Sequence, residues 1–210
     1  MRALAFLAFA ALSACADLGT QVASVLSERG AARDGTNQGI RTLSMFNGDV
    51  RVRGPEGYCI DRQASRARTG FAVLAACARV SEAELLPTLD GLLTVQIGEA
   101  NSAVVRGQED TLATLLEKEA GQALLSAGEA EVTVYETEAR DGLVLVRYND
   151  PDAPRMRGTE ATGWRVFLDL GDRSAVISLR AFEANPLDER DGEILIRTAA
   201  AALAEANVGG

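Results

Sequence analysis

The stretch EVTVYETEARDGLVLVRYND, residues 131–150, is the strongest indication of the fold class. Apolar and polar side chains alternate on both sides of Asp141-Gly142, a dipeptide that readily adopts the positive φ angles of a type I′ turn. The stretch therefore predicts a β-hairpin. Residues 163–182, GWRVFLDLGDRSAVISLRAF, alternate in the same way around Gly171-Asp172 and predict another hairpin.

Three further stretches towards the N-terminus predict strands. RTLSMFNGDVRVRG, residues 41–54, has Asn47-Gly48 between two alternating runs and predicts a hairpin with a type I′ turn. FAVLAAC, residues 71–77, is almost continuously apolar, as is typical of a strand that is buried on both faces. In LLTVQIG, residues 92–98, Leu93, Val95 and Ile97 alternate with polar side chains, and we expect them to face the core.

Two segments show helical spacing. EDTLATLLEKEAGQALL, residues 109–125, predicts one long helix, and a final Ala-rich helix begins near Asp188. The apolar stripe of the first helix is predicted to be Leu112, Leu115, Leu116, Ala120, Ala123 and Leu124, and that of the second Ile194, Leu195, Ala199, Ala202 and Leu203. The sequence thus predicts an α+β fold: a mostly antiparallel sheet of hairpins with two main helices packed on it.

This order of elements resembles the PsbP-like family. The resemblance lies in VRVRGPEGYCID at residues 50–61, in LLTVQIGEA leading towards the helix from Glu109, in the meander from Val132 to Phe182 and in the closing helix. It implies an α/β/α sandwich, in a family whose members mostly bind or scaffold other components. It carries over no functional residues.

The N-terminus has the pattern of an export signal. Met1-Arg2 is positively charged, and Ala3 to Leu12 is an apolar run of 12 − 3 + 1 = 10 residues. A membrane-spanning helix needs about 20 apolar residues, whereas this length suits the apolar region of a signal peptide. The alternative is a buried N-terminal helix of a cytosolic protein.

Leu12-Ser13-Ala14-Cys15 follows this run and resembles the lipobox of bacterial lipoproteins. The resemblance implies cleavage after Ala14 and a diacylglyceryl group on the sulfur of Cys15. We therefore expect a signal peptide at residues 1–14, a lipid-anchored N-terminus and tether at 15–39, and a single α+β domain at 40–210. The protein is expected to be exported and anchored in the membrane of the cell envelope, facing the periplasm, and Ala16 favours the outer membrane.

Two cysteines are left for the domain, Cys59 and Cys77. In the oxidising compartment of an exported protein, an even pair usually forms a disulfide. The alternatives are two inert buried thiols or a redox-active pair, although the spacing lacks the Cys-x-x-Cys pattern of reactive pairs.

Composition restricts the chemistry. The chain has 30 acidic residues, 21 Lys and Arg and no histidine, for a net charge of −9, and this charge disfavours nucleic acid as a partner. Without histidine there is no Ser-His-Asp or Cys-His centre. Lys118 lies between two glutamates, as is typical of a solvated helix face. We predict no catalytic residue, no metal site and no cofactor.

After these exclusions, carboxylates are the side chains that could still catalyse a reaction or bind a cation. They form three clusters. The clusters are Glu136, Glu138 and Asp141; Asn149, Asp150 and Asp152; and Asp188, Glu189, Asp191 and Glu193. Calcium at the second or third cluster is one alternative, and a hydrolase with two carboxylates is another. The one tryptophan, Trp164, alternates with Val166 and Leu168 and is expected in the core rather than in a sugar-stacking platform.

The polar stretch from Pro151 to Gly163 connects two predicted strands and carries Arg155 and Arg157 against an acidic background. We expect either a loop that contacts a partner or an anionic ligand, or a solvated hairpin excursion. The leading hypothesis is a noncatalytic envelope lipoprotein that binds or scaffolds an envelope protein or a small ligand. The alternatives are a small-molecule or cation-binding periplasmic module and, third, a carboxylate-dependent hydrolase.

Overall fold

Nine strands and four helices are present in the part of the chain that the structure describes. The structure, a computed structural model, describes residues 39–81, 86–126, 131–152 and 158–208. The strands are β1 (Thr42–Met45), β2 (Val50–Arg53), β3 (Tyr58–Ile60), β4 (Phe71–Ala76), β5 (Gly91–Ile97), β6 (Thr133–Arg140), β7 (Leu143–Asn149), β8 (Thr159–Leu170) and β9 (Arg173–Phe182). The helices are α1 (Cys77–Val80), α2 (Glu109–Leu116), α3 (Glu119–Gln122) and α4 (Glu189–Glu205).

Seven of the strands form one sheet in the order β3-β4-β5-β9-β8-β7-β6, and β1 and β2 form a separate two-stranded sheet. Every neighbouring pair of strands is antiparallel. The three predicted hairpins, β1–β2, β6–β7 and β8–β9, are all present. The fold is therefore α+β, as the alternating stretches predicted.

The large sheet has a hydrophobic core on each face. Leu145 belongs to one core, while its neighbours Val144 and Val146 belong to the other, because successive side chains of a strand point to opposite faces. The helix α4 contributes Leu195 to the first core and α2 contributes Leu116 to the second. The two main helices thus cover opposite faces, and the β1–β2 hairpin packs beside α4.

The turn residues explain where the hairpins reverse. Asp141 and Gly142 have φ angles of 55° and 78° and form the predicted two-residue turn between β6 and β7. Met45 pairs with Val50, so the first hairpin has a four-residue loop rather than a two-residue turn. The connection before β8 is shorter than expected, because the strand begins at Thr159 and includes the end of the predicted polar loop.

The prediction of one long helix at residues 109–125 is wrong. Lys118 has an extended backbone, and the chain folds back so closely that a Cβ on Gly121 would lie 1.9 Å from the carbonyl oxygen of Leu115. Only glycine permits this approach. As a consequence Leu115 and Leu124, predicted to be buried, are exposed, whereas Leu116 is buried.

The predicted inner face of α4 is correct except at one position. Its Leu195, Ala199, Ala202 and Leu203 are buried, but Ile194 is 43% exposed. The helix starts where expected, because the carboxylate of Asp188 accepts a hydrogen bond from the amide of Asp191 at 2.7 Å.

Candidate functional site

A groove of about 750 Å³ lies between the loop of the first hairpin and the C-terminal end of α4. Four segments form its walls, and we call it the hairpin–helix groove. They are residues 48–51, a loop that contributes Ala100 and Arg106, the turn at residues 169–173, and the chain end with Ala204, Asn207 and Val208. This volume is within the range of ligand sites in proteins.

The loop wall is fixed by carboxylates on β8 and on the turn that follows it. Asp169 accepts hydrogen bonds from three successive backbone amides, those of Val104, Val105 and Arg106, at 3.1, 2.9 and 2.8 Å. Asp172 accepts one from the amide of Asn101 at 3.2 Å. Carboxylates that accept several amide hydrogen bonds make strong contacts, so this wall is held in place before any ligand binds.

The helix wall is tied to β2 by a side-chain amide. Asn207 Nδ2 donates to the carbonyl oxygen of Arg51 at 2.8 Å, and Asn207 Oδ1 accepts from the amide of Arg51 at 2.9 Å. Both bonds are those that a neighbouring strand would make with this residue. The amide therefore fixes the end of α4 against the outer edge of the hairpin.

A largely buried arginine connects the remaining two walls. Arg173, with 11% of its side chain exposed, stacks its guanidinium group over the ring of Phe46 at 4.2 Å. It also donates to the carbonyl oxygen of Gly98 at 3.1 Å and lies 3.7 Å from the carboxylate of Asp49. The hairpin loop is thereby held against the turn between β8 and β9.

Two other arginines of the groove have no such partners. Arg51 and Arg106 are exposed, and within the described ranges neither guanidinium group forms a hydrogen bond or an ion pair. Nearby Glu109 has a lowered pKa, because its carboxylate accepts hydrogen bonds from its own amide and from that of Gly107; the charge of Arg106 contributes less. The lining of the groove carries three arginines and three aspartates, so its formal charges balance, but the guanidinium groups of Arg51 and Arg106 have no carboxylate at ion-pair distance among the described residues.

The fold brings two of the predicted acid clusters together elsewhere. Glu136 and Glu138 of β6 face Glu189 and Glu193 of α4 across a narrow gap above Trp164, which we call the acidic crevice. Asp141 lies in the turn and Asp188 caps the helix. The free space of the crevice is about 10 Å³, room for about one water molecule.

Arginine guanidinium groups form ion pairs with three of these four glutamates. Arg147 pairs with Glu189 at 2.7 Å, and Arg197 pairs with Glu193 at 2.7 Å and also with Glu138. Only Glu136 is unpaired among these four described side chains. A two-carboxylate glycoside hydrolase needs room for a sugar between its carboxylates, and this crevice has room for about one water molecule.

The second acid cluster is a turn rather than a cavity. Asp150 is completely buried and accepts a hydrogen bond from the amide of Asp152 at 3.0 Å. Across the described residues, no group of three or more acidic, cysteine or histidine side chains could hold a metal ion.

Cys59 and Cys77 form a disulfide with their Cα atoms 4.7 Å apart, and both residues are completely buried. Two residues further on, Arg79 pairs with buried Asp90, with Nε 3.0 Å from Oδ2, and this hydrogen bond raises the pKa of Arg79. Tyr58 donates to the carbonyl oxygen of Leu89, and its burial raises its pKa. We interpret this region as a structural anchor of β3 and α1.

Other sequence predictions have different outcomes. Cys15 and the tether lie outside the described residues, and so do Arg155 and Arg157. Trp164 is buried as predicted, and Lys118 is exposed. Within the described part of the chain, no helix is long and apolar enough to cross a bilayer.

Sequence reasoning missed the residues that build the groove, above all Arg51, Arg106, Asp169 and Asn207. They are far apart along the chain, and none belongs to a motif. One signal was present: Asp169 is a charged residue within the alternating run of β8, and such a residue needs a partner.

Comparison with known proteins finds similar structures only. No protein-family model matches the chain, and no curated protein matches it. A mutant of the protein Mog1 is 13% identical, with a TM-score of 0.41, and the match covers 79% of this chain and 87% of that one. The Ran-binding protein Mog1p of Saccharomyces cerevisiae is 12% identical, with a TM-score of 0.41, and the match covers 79% and 88%. Neither likeness assigns this chain to a family.

Proposed function

We propose that the protein is a noncatalytic binding module of the cell envelope, anchored through a lipid on Cys15, and that its partner binds in the hairpin–helix groove. The observation that carries the proposal is the construction of the groove. Its lining combines apolar residues, among them exposed Val208, with charged and polar residues. Apolar surface beside polar groups is typical of protein recognition sites.

Rigidity of the walls supports the same proposal. The loop wall is held by Asp169, the helix wall by Asn207 and the hairpin loop by Arg173. A site that is already in its binding geometry loses less conformational entropy when a partner binds.

Photo-crosslinking in cells that produce the protein tests the groove. A photoreactive residue at Val208, which is 81% exposed and lines the groove, should form an adduct with a single envelope component that mass spectrometry can identify. The same residue at Arg190 serves as the control. Arg190 lies 18 positions earlier, near the other end of α4, which corresponds to about 27 Å along a helix.

A blocking variant completes this test. Ala100 is exposed and lines the groove, so Ala100→Trp should fill it without disturbing the core. We expect the Val208 adduct to disappear in that variant. Identical adducts from Val208 and Arg190, or an adduct that survives Ala100→Trp, would count against the groove as the binding site.

The anchor is tested separately by intact mass spectrometry of the protein extracted from its own membranes. We expect a chain that begins at Cys15 and is heavier by acyl groups. A chain that begins at Met1 and carries no acyl mass would rule out the lipoprotein part of the proposal and leave the groove unaffected.

A further inference from the structure

We infer that the hairpin–helix groove binds an acidic segment of a partner protein, with Arg51 and Arg106 binding its carboxylates and exposed Val208 contacting its apolar side chains. This inference rests on the proposed function, because it uses the same groove. It adds the chemical class of the partner.

The charged side chains of the groove differ in whether they have partners within the protein. Its carboxylates already have donors: Asp169 has three backbone amides, Asp172 has one, and Asp49 has Arg173. Arg51 and Arg106, on different walls, have no such partner within the described ranges. Each guanidinium group has five N–H donors, arranged to match a carboxylate. These two guanidinium groups are therefore the ones in the groove that a carboxylate of a partner can bind.

The second observation is apolar exposure at the same place. Among the large apolar side chains of the described residues, Val208 at 81% and Val104 at 68% are the most exposed. Val208 lines the groove. Val104 is two residues from Arg106, and its backbone amide donates a hydrogen bond to the carboxylate of Asp169. Exposed apolar surface rimmed by polar groups is typical of contacts with another protein.

Together these observations favour a protein segment over a small anion. An inorganic anion would use the arginines and leave both exposed valines in water. A segment with alternating carboxylate and apolar side chains would contact the arginines and the valines. The arginines differ in this respect from Arg147 and Arg197 of the acidic crevice, whose carboxylate partners are within the protein.

A peptide-display selection tests the inference. A random dodecapeptide library is selected against the purified full chain in detergent, after removal of the peptides that bind the Ala100→Trp variant. We expect the enriched peptides to carry a net negative charge together with apolar residues. The most enriched peptide is then synthesised with a fluorescent label, alongside a copy in which Asn and Gln replace Asp and Glu.

Fluorescence anisotropy measures the contribution of each arginine. Arg51→Gln and Arg106→Gln should each weaken binding of the acidic peptide about fivefold, the upper range for exposed ion pairs, and the effect should shrink in 0.5 M salt. Arg190→Gln is the matched control, since it removes an exposed arginine near the other end of α4, and should bind as the parent does. Thermal unfolding checks that each variant is folded.

The outcomes separate this inference from the proposed function. Enriched peptides that are neutral or basic, or an amide copy that binds equally well, would overturn the acidic class while the groove stands as a binding site. Equal loss in Arg190→Gln would also overturn it, because binding would then follow overall charge. A selection in which Ala100→Trp makes no difference would overturn both.

Discussion

The two ends of α4 lie beside similar sets of charged side chains and use them in different ways. At the N-terminal end, Arg147 pairs with Glu189, and Arg197 with Glu193. At the C-terminal end, Glu205 pairs with Arg53 at 3.2 Å and Asp169 accepts hydrogen bonds from backbone amides, whereas the guanidinium group of Arg51 has no partner among the described residues. The number of charges therefore does not identify a site; what matters is whether their partners are inside the protein.

The largest expected effect is at the acidic crevice, whose floor is structural. Trp164→Ala should lower the free energy of unfolding by about 3–5 kcal/mol. The reason is contact: a Cβ on Gly192 of α4 would lie only 2.2 Å from the indole ring, so the helix backbone packs directly on it. Urea unfolding followed by circular dichroism measures the loss.

The control at the same crevice is Tyr135→Ala. Tyr135 is half-exposed and contacts Arg147 through its ring at 4.8 Å, so we expect a loss of less than about 1 kcal/mol. Similar losses for both aromatic residues would mean that the crevice is not built on Trp164.

A smaller loss is expected at the groove wall. Asp169→Ala removes the acceptor of three backbone amides and should cost about 2–3 kcal/mol. The amide of Val105, a residue that is 2% exposed, should then exchange its hydrogen much faster. Glu99→Ala, at an exposed position, should change neither quantity. An unchanged exchange rate at Val105 would show that the loop does not depend on Asp169.

The direct test of the comparison exchanges one arginine at each end. Arg197→Met removes the partner of Glu138 and Glu193 and should cost about 1 kcal/mol. Arg51→Met removes a guanidinium group without such partners and should change stability by less than about 0.5 kcal/mol. If both variants lose the same stability, the difference between paired and unpaired arginines has no energetic basis.

The smallest expected effect concerns pH. Backbone hydrogen bonds lower the pKa of Glu109 below its ordinary value of 4.5, so its ionised form is favoured in the folded state. The stabilisation is then fully present above pH 4.5 and is lost as the pH falls through the lower folded pKa. Glu109→Gln should therefore be less stable than the parent at pH 6, and the difference should shrink towards pH 3. Urea unfolding at several pH values measures this difference, and a difference independent of pH would contradict the assignment.

Much of the sheet follows from local sequence. Asn47-Gly48, Asp141-Gly142 and Gly171-Asp172 lie at the three reversals, and alternation assigns faces correctly within β5. The prediction of one long helix at residues 109–125 is wrong for a physical reason. An apolar stripe cannot reveal that Gly121 lets the chain fold back on Leu115, since that approach depends on tertiary contact.

The groove could not be predicted in the same way. Its Asn207 and Arg51 are 156 positions apart, and Asp169 and Val105 are 64 apart. Arg51 and Arg106 differ from the other arginines of these sites because their guanidinium groups have no hydrogen-bond or ion-pair partner among the described residues. The lack of a partner can be recognised only once the positions of the surrounding carboxylates are known. The acid clusters were conspicuous in the sequence, yet most of their charge is used within the fold.

The amide of Asn207 has a consequence for solubility. β2 is the outer strand of a two-stranded sheet, and the N–H and C=O of Arg51 point away from β1 towards Asn207. An open strand edge is a template on which a second chain can add a strand and begin aggregation. By occupying both groups of Arg51, the Asn207 side chain blocks this edge in the middle of β2, so the turn that follows α4 also protects the β1–β2 hairpin from self-association.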